Sequence, residues 1–104
     1  MKIVWSRFAV KNLRDIYEYY AETASPSIAL KIRNGIFEEG KKINKHPSAG
    51  QIQESLSGFR QEHRYVLKGH HKIIYRIVNN EILITDIFDT RQNPSKMNNP
   101  SRNL

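Results

Sequence analysis

The chain has 104 residues, no cysteine, four histidines and a formal net charge of +7. Such a length holds one domain with a single modest core, and the absence of cysteine excludes disulfides, thiolate zinc sites and cysteine nucleophiles. No apolar run approaches the roughly 20 residues needed to span a bilayer, and Met1 to Arg7 lack the apolar stretch of a signal peptide, so the expectation is a cytoplasmic protein with an acidic partner.

Lys2 to Trp5 alternate and carry β-branched and aromatic side chains, which predicts a short first strand. Ser6 then offers an N-cap. From Phe8 to Ala24 the positions Leu13, Ile16, Tyr17, Tyr20 and Ala24 follow the rhythm of one helical face. Ser25-Pro26 starts a second helix, because serine caps free amides and proline at the first helical position forfeits only an unpaired N–H. Ala29, Ile32, Ile36 and Ile43 mark its buried stripe. His46-Pro47 ends it, since the residue before proline is pushed out of the α region. Gly35 and Gly40 inside this helix each cost about 1 kcal/mol relative to alanine, which predicts close packing against the first helix or, failing that, a kink.

Ser48 to Gly58 reads as a surface loop, and a β-meander follows. Its strands are Phe59 to Leu67, His71 to Val78 and Glu81 to Phe88, with turns at Lys68-Gly69-His70 and Asn79-Asn80. Paired asparagines tolerate the positive φ of a type I′ hairpin, which sets the register of the last two strands. Val78 then faces Glu81, Ile77 faces Ile82, Tyr75 faces Ile84, Ile73 faces Asp86 and His71 faces Phe88, and this side is the expected core face. Asp86 is out of place among aliphatic neighbours, so either it has a buried partner or a bulge shifts the register.

Arg60, Arg64, Lys68, Lys72 and Arg76 recur every four residues, and an even spacing sends the side chains of one strand to one face. Arg60 and Arg64 are expected to lead onto the face of Lys72 and Arg76, which also carries Ile74, Leu83, Thr85 and Ile87. This is a basic cleft in prospect. Beyond Phe88 the chain turns polar, so residues 1–94 are the expected domain and residues 95–104 a flexible tail with nothing to bury.

Four segments carry a resemblance: Leu13-Arg14-Asp15-Ile16-Tyr17-Glu18-Tyr19-Tyr20, the exit His46-Pro47-Ser48-Ala49-Gly50, the run from Arg64-Tyr65 to Lys72-Ile73-Ile74-Tyr75-Arg76, and Asp89-Thr90-Arg91-Gln92-Asn93-Pro94. In their order and spacing the chain resembles the RelE/ParE superfamily of bacterial type II toxin-antitoxin toxins over nearly its whole length. The resemblance implies an α+β fold with an N-terminal strand, a two-helix hairpin and a three-stranded antiparallel meander, in one sheet packed on the helices. It also implies a cognate antitoxin whose C-terminal segment covers the basic face. Members differ in target: RelE-type toxins cut mRNA in the ribosomal A site, whereas ParE-type toxins poison DNA gyrase, and the fold does not settle which.

Ribosome-dependent cleavage requires a group that activates the 2′-hydroxyl, cations for the phosphorane-like transition state and an acid for the leaving oxygen. By resemblance, Lys72 stands where RelE-like members place an arginine, and Arg91 at the arginine after the last strand. With Arg64 these are the catalytic candidates if the chain is a ribonuclease. The two lysines of the second strand have no counterpart, because His63, Arg64 and Tyr65 occupy that area, and Met97 stands in place of the C-terminal tyrosine.

Histidine titrates near pH 6.5 and would supply an acid or base, but alternation points His63 and His71 toward the core with Phe59, Tyr65, Ile73 and Tyr75. His70 and His71 leave opposite faces and no helix carries a histidine pair at i, i+4, so neither a metal nor another cofactor is expected. The expected surface for target or antitoxin is Arg60, Arg64, Lys72, Arg76 and Arg91. The leading reading is a ParE-like growth inhibitor directed at gyrase without hydrolytic chemistry. It stands ahead of a ribosome-dependent endoribonuclease and of a non-toxic nucleic-acid-binding module.

Overall fold

The computed structural model describes residues 1–53 and 62–92. In chain order they form β1 (Lys2–Trp5), α1 (Arg7–Thr23), α2 (Pro26–Lys42), a 3-10 turn (Ile43–Lys45), β2 (Gln51–Ile52), β3 (Arg64–Lys68), β4 (His71–Val78) and β5 (Glu81–Asp89). Both helices start as the sequence predicts. Ser6 Oγ accepts from the Ala9 amide at 3.0 Å and Ser25 Oγ from the Ile28 amide at 3.1 Å, so each serine satisfies one free N–H of a first turn. Arg60 and the tail at 95–104 lie outside the described residues, as do residues 59–61 of the predicted second strand.

The five strands make one sheet in the order β1-β5-β4-β3-β2. β3, β4 and β5 are the expected antiparallel meander, and β1 lies parallel to β5 with Ile3 beside Ile82 and Trp5 beside Ile84. β2 falls within the stretch read as loop. Gln51 pairs with Tyr65 and Ile52 with Arg64, and two residues are too few to leave an alternating pattern in the sequence.

The turn between β3 and β4 is one residue shorter than expected. Gly69 and His70 alone form it, with Gly69 at φ +59° as the first position of a two-residue hairpin turn requires, and Lys68 pairs with His71. A three-residue turn aligns even positions of β3 with even positions of β4, whereas a two-residue turn aligns even with odd. Arg64 therefore pairs with Tyr75, Val66 with Ile73, and Tyr65 with Ile74.

Asn79 and Asn80 both take positive φ, 50° and 62°, as the type I′ turn predicts. From Val78↔Glu81 to Tyr75↔Ile84 the register is the expected one, and then it slips by a residue. Ile74 faces Asp86, Ile73 faces Ile87, Lys72 faces Phe88 and His71 faces Asp89, with Thr85 as the bulged residue. Thr85 Oγ1 donates to the Ile74 carbonyl at 3.4 Å. Both alternatives offered for Asp86 hold: the bulge exists, and the buried carboxylate accepts from Asn12 Nδ2 at 2.8 Å.

The helix-facing core gathers Ala9, Ile36, Ile43, Ile73, Tyr75, Ile82, Ile84 and Ile87. Ile87 fills the place opposite Ile73 that was expected for Asp86, because the slip turns over every side chain beyond it. Phe88 instead joins Ile74 in a second cluster on the outer side, with Tyr65 against it. Ile77, at a strand end, is 43% exposed rather than core. Gly40 serves close packing, though against the sheet rather than α1: a Cβ there would meet Trp5 Cζ2 at 2.9 Å and Ile84 Cδ1 at 3.2 Å. Among the described residues no helix is long and apolar enough to cross a membrane.

Candidate functional site

Even-odd pairing divides the cation ladder between two sides of the sheet. Arg64 and Lys68 share the helix-facing side with Tyr75 and His71, while Lys72 and Arg76 stand on the outer side with Tyr65 and Ile74. The single face expected for Arg64, Lys72 and Arg76 is thereby corrected. Its cause is the two-residue turn.

On the outer side Lys72 is closely held. Its ammonium donates to Gln53 Oε1 at 2.9 Å and sits 4.2 Å from the centre of the Tyr65 ring. Tyr65 in turn donates its hydroxyl to Gln51 Oε1 at 2.8 Å, so Gln51 of the short β2 and Gln53 just after it supply the two amides of this cluster. Partial burial pushes the Lys72 ammonium below its ordinary value.

Arg64 has structural work. One guanidinium nitrogen donates to the Gly50 carbonyl at 2.8 Å, and another meets Glu62 at 2.8 Å. Beside it the Tyr75 hydroxyl donates to the Pro47 carbonyl at 2.6 Å, and burial raises its pKa. A Cβ on Gly50 would stand 2.9 Å from Cζ of that ring and closer still to its hydroxyl. The motifs His46-Pro47-Ser48-Ala49-Gly50 and Lys72-Ile73-Ile74-Tyr75-Arg76 thus meet each other, and what joins them is packing. Arg76 and Arg64 both line a hollow of about 210 Å³ beside Glu62.

Arg91 belongs to a different place, at the junction of α1 with the end of β5. Its guanidinium donates to both carboxylate oxygens of Asp89, at 3.0 and 2.6 Å, and to the Tyr20 hydroxyl at 3.0 Å. The arginine holds the Asp89 carboxyl down to about 2, and Asp89 with Tyr20 raises the arginine in return. His71 pairs with Asp89 across the ladder and sets its ring edge-on to Tyr20 at 6.5 Å. Burial lowers the His71 pKa against the opposing pull of Asp89. These groups border a groove of about 570 Å³ that also reaches Lys11, Asp15 and the exposed Tyr19. Chain position gives no hint of this site, since Tyr20 and Arg91 are 71 residues apart.

His63 and His71 are both buried, and the pairing of His71 with Lys68 puts His71 on the helix-facing side. Tyr65 is on the outer side, contrary to expectation, through its pairing with Ile74. Among the described residues no three His, Cys, Asp or Glu side chains gather as metal ligands do.

A small basic α+β protein, with a helical hairpin on an antiparallel meander and cations divided between the sheet's sides, is the class that fold and surface define. The family described as "ParE toxin of type II toxin-antitoxin system, parDE" matches residues 3–94, and the chain belongs to it. Among solved structures it is similar to one described as "Chromosomal ParDE TA system from P. aeruginosa", at 26% identity and a TM-score of 0.73, covering 86% of this chain and 95% of that one. No curated protein matches the sequence.

Proposed function

We propose that the protein is a growth inhibitor kept inactive by a cognate antitoxin, that it acts in the cytoplasm by binding rather than hydrolysis, and that DNA gyrase is what it poisons. The observation that carries this reading is the dispersal of the three ribonuclease candidates. Phosphoryl chemistry needs its cations converged on one phosphate. Arg64 and Lys72 leave opposite sides of the sheet, about 10 Å apart along the strands given three positions of pairing between them. Arg64 is engaged with Gly50 and Glu62, and Arg91 with Asp89 and Tyr20.

Lys72 and Arg76 on the outer side, and Arg91 at the groove, are the contact residues of this reading, while Arg64 shapes the loop beneath them. Expression without the antitoxin tests it, followed by a supercoiling assay with purified gyrase and mapping of mRNA ends. The expected result is growth arrest and lost supercoiling with mRNA ends unchanged. Cleavage of translated mRNA would replace the reading with a ribosome-dependent endoribonuclease. Salt-sensitive nucleic-acid binding without arrest, at confirmed expression, would replace it with a non-toxic binding module.

A further inference from the structure

The lysines of this chain differ in what surrounds them. Lys2, Lys11, Lys41 and Lys42 lie within ion-pair distance of Glu81, Asp15, Glu38 and Glu39 in that order, and an opposite charge favours the ammonium form. Lys31, Lys45 and Lys68 have no such partner among the described residues, but they are exposed, and water solvates their charge. Lys72 differs from both groups. Among the described lysines it alone is partly buried, and no described carboxylate lies within ion-pair distance of it.

Its place in the sheet fixes its stem. Lys72 sits on β4 with Leu67 of β3 on one side and Phe88 of β5 on the other, and its nitrogen stands between the buried Gln53 amide oxygen at 2.9 Å and the Tyr65 ring at 4.2 Å. Neither neighbour is charged. An amide oxygen accepts from an ammonium, an amine or an amide N–H alike, whereas a carboxylate at that position would hold the ammonium far more tightly than the amine. The site therefore tolerates loss of the charge. Partial burial acts in the same direction, since it pushes the Lys72 pKa below its ordinary value.

A lysine held in this way is a nucleophile for acyl transfer. Its neutral nitrogen, formed when the ammonium gives one proton to water, attacks the carbonyl carbon of a mixed anhydride between a carboxylic acid and phosphate. A C–N bond forms, the C–O bond to phosphate breaks with its electron pair leaving on the phosphate, and a second nitrogen proton passes to solvent. The product is a neutral amide. Its N–H keeps Gln53 Oε1 as acceptor, and its flat acyl group takes the place of the ammonium on the Tyr65 ring. A donor that carries a phosphate is also drawn to a protein of net charge +7.

We propose that Lys72 is an acylation site for acyl phosphates, with Gln53 and the Tyr65 ring seating the amide that results. Acylation removes a charge that the function proposed above assigns to contact with the target. That consequence rests on the toxin reading; the chemistry at Lys72 does not.

The test incubates the full-length chain with acetyl phosphate and follows the rate at each lysine by peptide mass spectrometry. Near neutral pH Lys72 should react about threefold or more faster than Lys31, Lys45 and Lys68, its rate should level off below the ordinary lysine value of 10.5 as pH rises, and urea should abolish the preference. Gln53→Glu sets a carboxylate against the nitrogen and should slow Lys72 about tenfold while the exposed lysines react as before.

The proposal is overturned if Lys72 reacts no faster than the three exposed lysines, if its preference survives in urea, or if a folded Gln53→Glu reacts as fast as the parent. The growth assay is independent. A chain carrying acetyl-lysine at position 72 from synthesis should not arrest growth, and arrest by that chain would overturn the consequence while the site stands. No arrest by the unmodified chain would remove the toxin reading and leave the labelling result intact.

Discussion

On the helix-facing side of the sheet, Ile73, Tyr75 and Ile84 are closed in by α1 and α2, and the polar groups among them are committed: Tyr75 to Pro47, Arg64 to Gly50 and Glu62. On the outer side, Ile74 and Phe88 form a cluster with Tyr65, and Lys72 and Arg76 stand on the same face. Cations of the same ladder therefore do different work. The Arg64 guanidinium, facing the helices, holds the loop at Gly50, while the outward-facing Lys72 ammonium is held by Gln53 and the Tyr65 ring. Side chains that share a spacing share a task only if the turns between strands preserve their parity.

The strongest way to break this comparison is Gly50→Val. Its branched side chain would have to enter the volume of the Tyr75 ring, and overpacking with loss of the Tyr75–Pro47 bond should cost about 3–5 kcal/mol in a urea titration. A cost below about 1 kcal/mol would mean that the loop at Gly50 is not seated on the core.

A smaller effect is expected at the border of the two sides. Asn12→Ala removes a donor from the buried Asp86 carboxylate beside the bulge and should cost about 1–3 kcal/mol. Asp86→Asn in the same background should recover part of it by removing the buried charge.

Arg64→Ala and Lys72→Ala sharpen the contrast directly. The first should lower stability by about 1–2 kcal/mol through the lost contact to Gly50. The second should change stability by less than about 1 kcal/mol yet abolish growth arrest. Equal behaviour of the two in thermal melts and growth assays would dissolve the division of the ladder.

The smallest effect is in the pH dependence at Arg91. Asp89 is held at about 2, so its contribution is fully present above the ordinary carboxylate range and is lost as pH falls through about 2. In Arg91→Ala a carboxyl NMR titration should find its midpoint moved up toward 3.8. His71 acts in the same direction. Burial keeps it neutral, so its contribution is present above pH 6.5 and declines below it as the unfolded chain takes up the proton more readily.

Much of the fold was legible because it is written locally. Ser6 and Ser25 announce the helix starts, and Asn79-Asn80 announces the turn that aligns β4 with β5. Asp86, a carboxylate on a predicted core face, pointed to the bulge that the register then shows. The parity of β3 against β4 departs from the expected one because the turn holds two residues rather than three. Gly69 at the head of a two-residue turn was the available signal. The Arg91 groove had no such signal, since it is made by α1 meeting the distant end of β5.

The edge position of β1 has a temporal consequence. Ser6 donates its amide to the Ile84 carbonyl and its hydroxyl to the Thr85 carbonyl, 79 residues away, and among the described residues β1 has no sheet neighbour except β5. On the ribosome β1 emerges long before the strand that will hold it, so the N-terminal segment waits without its sheet until β5 follows. The outer cluster of Ile74 and Phe88 is finished only at that late stage, because Phe88 belongs to β5.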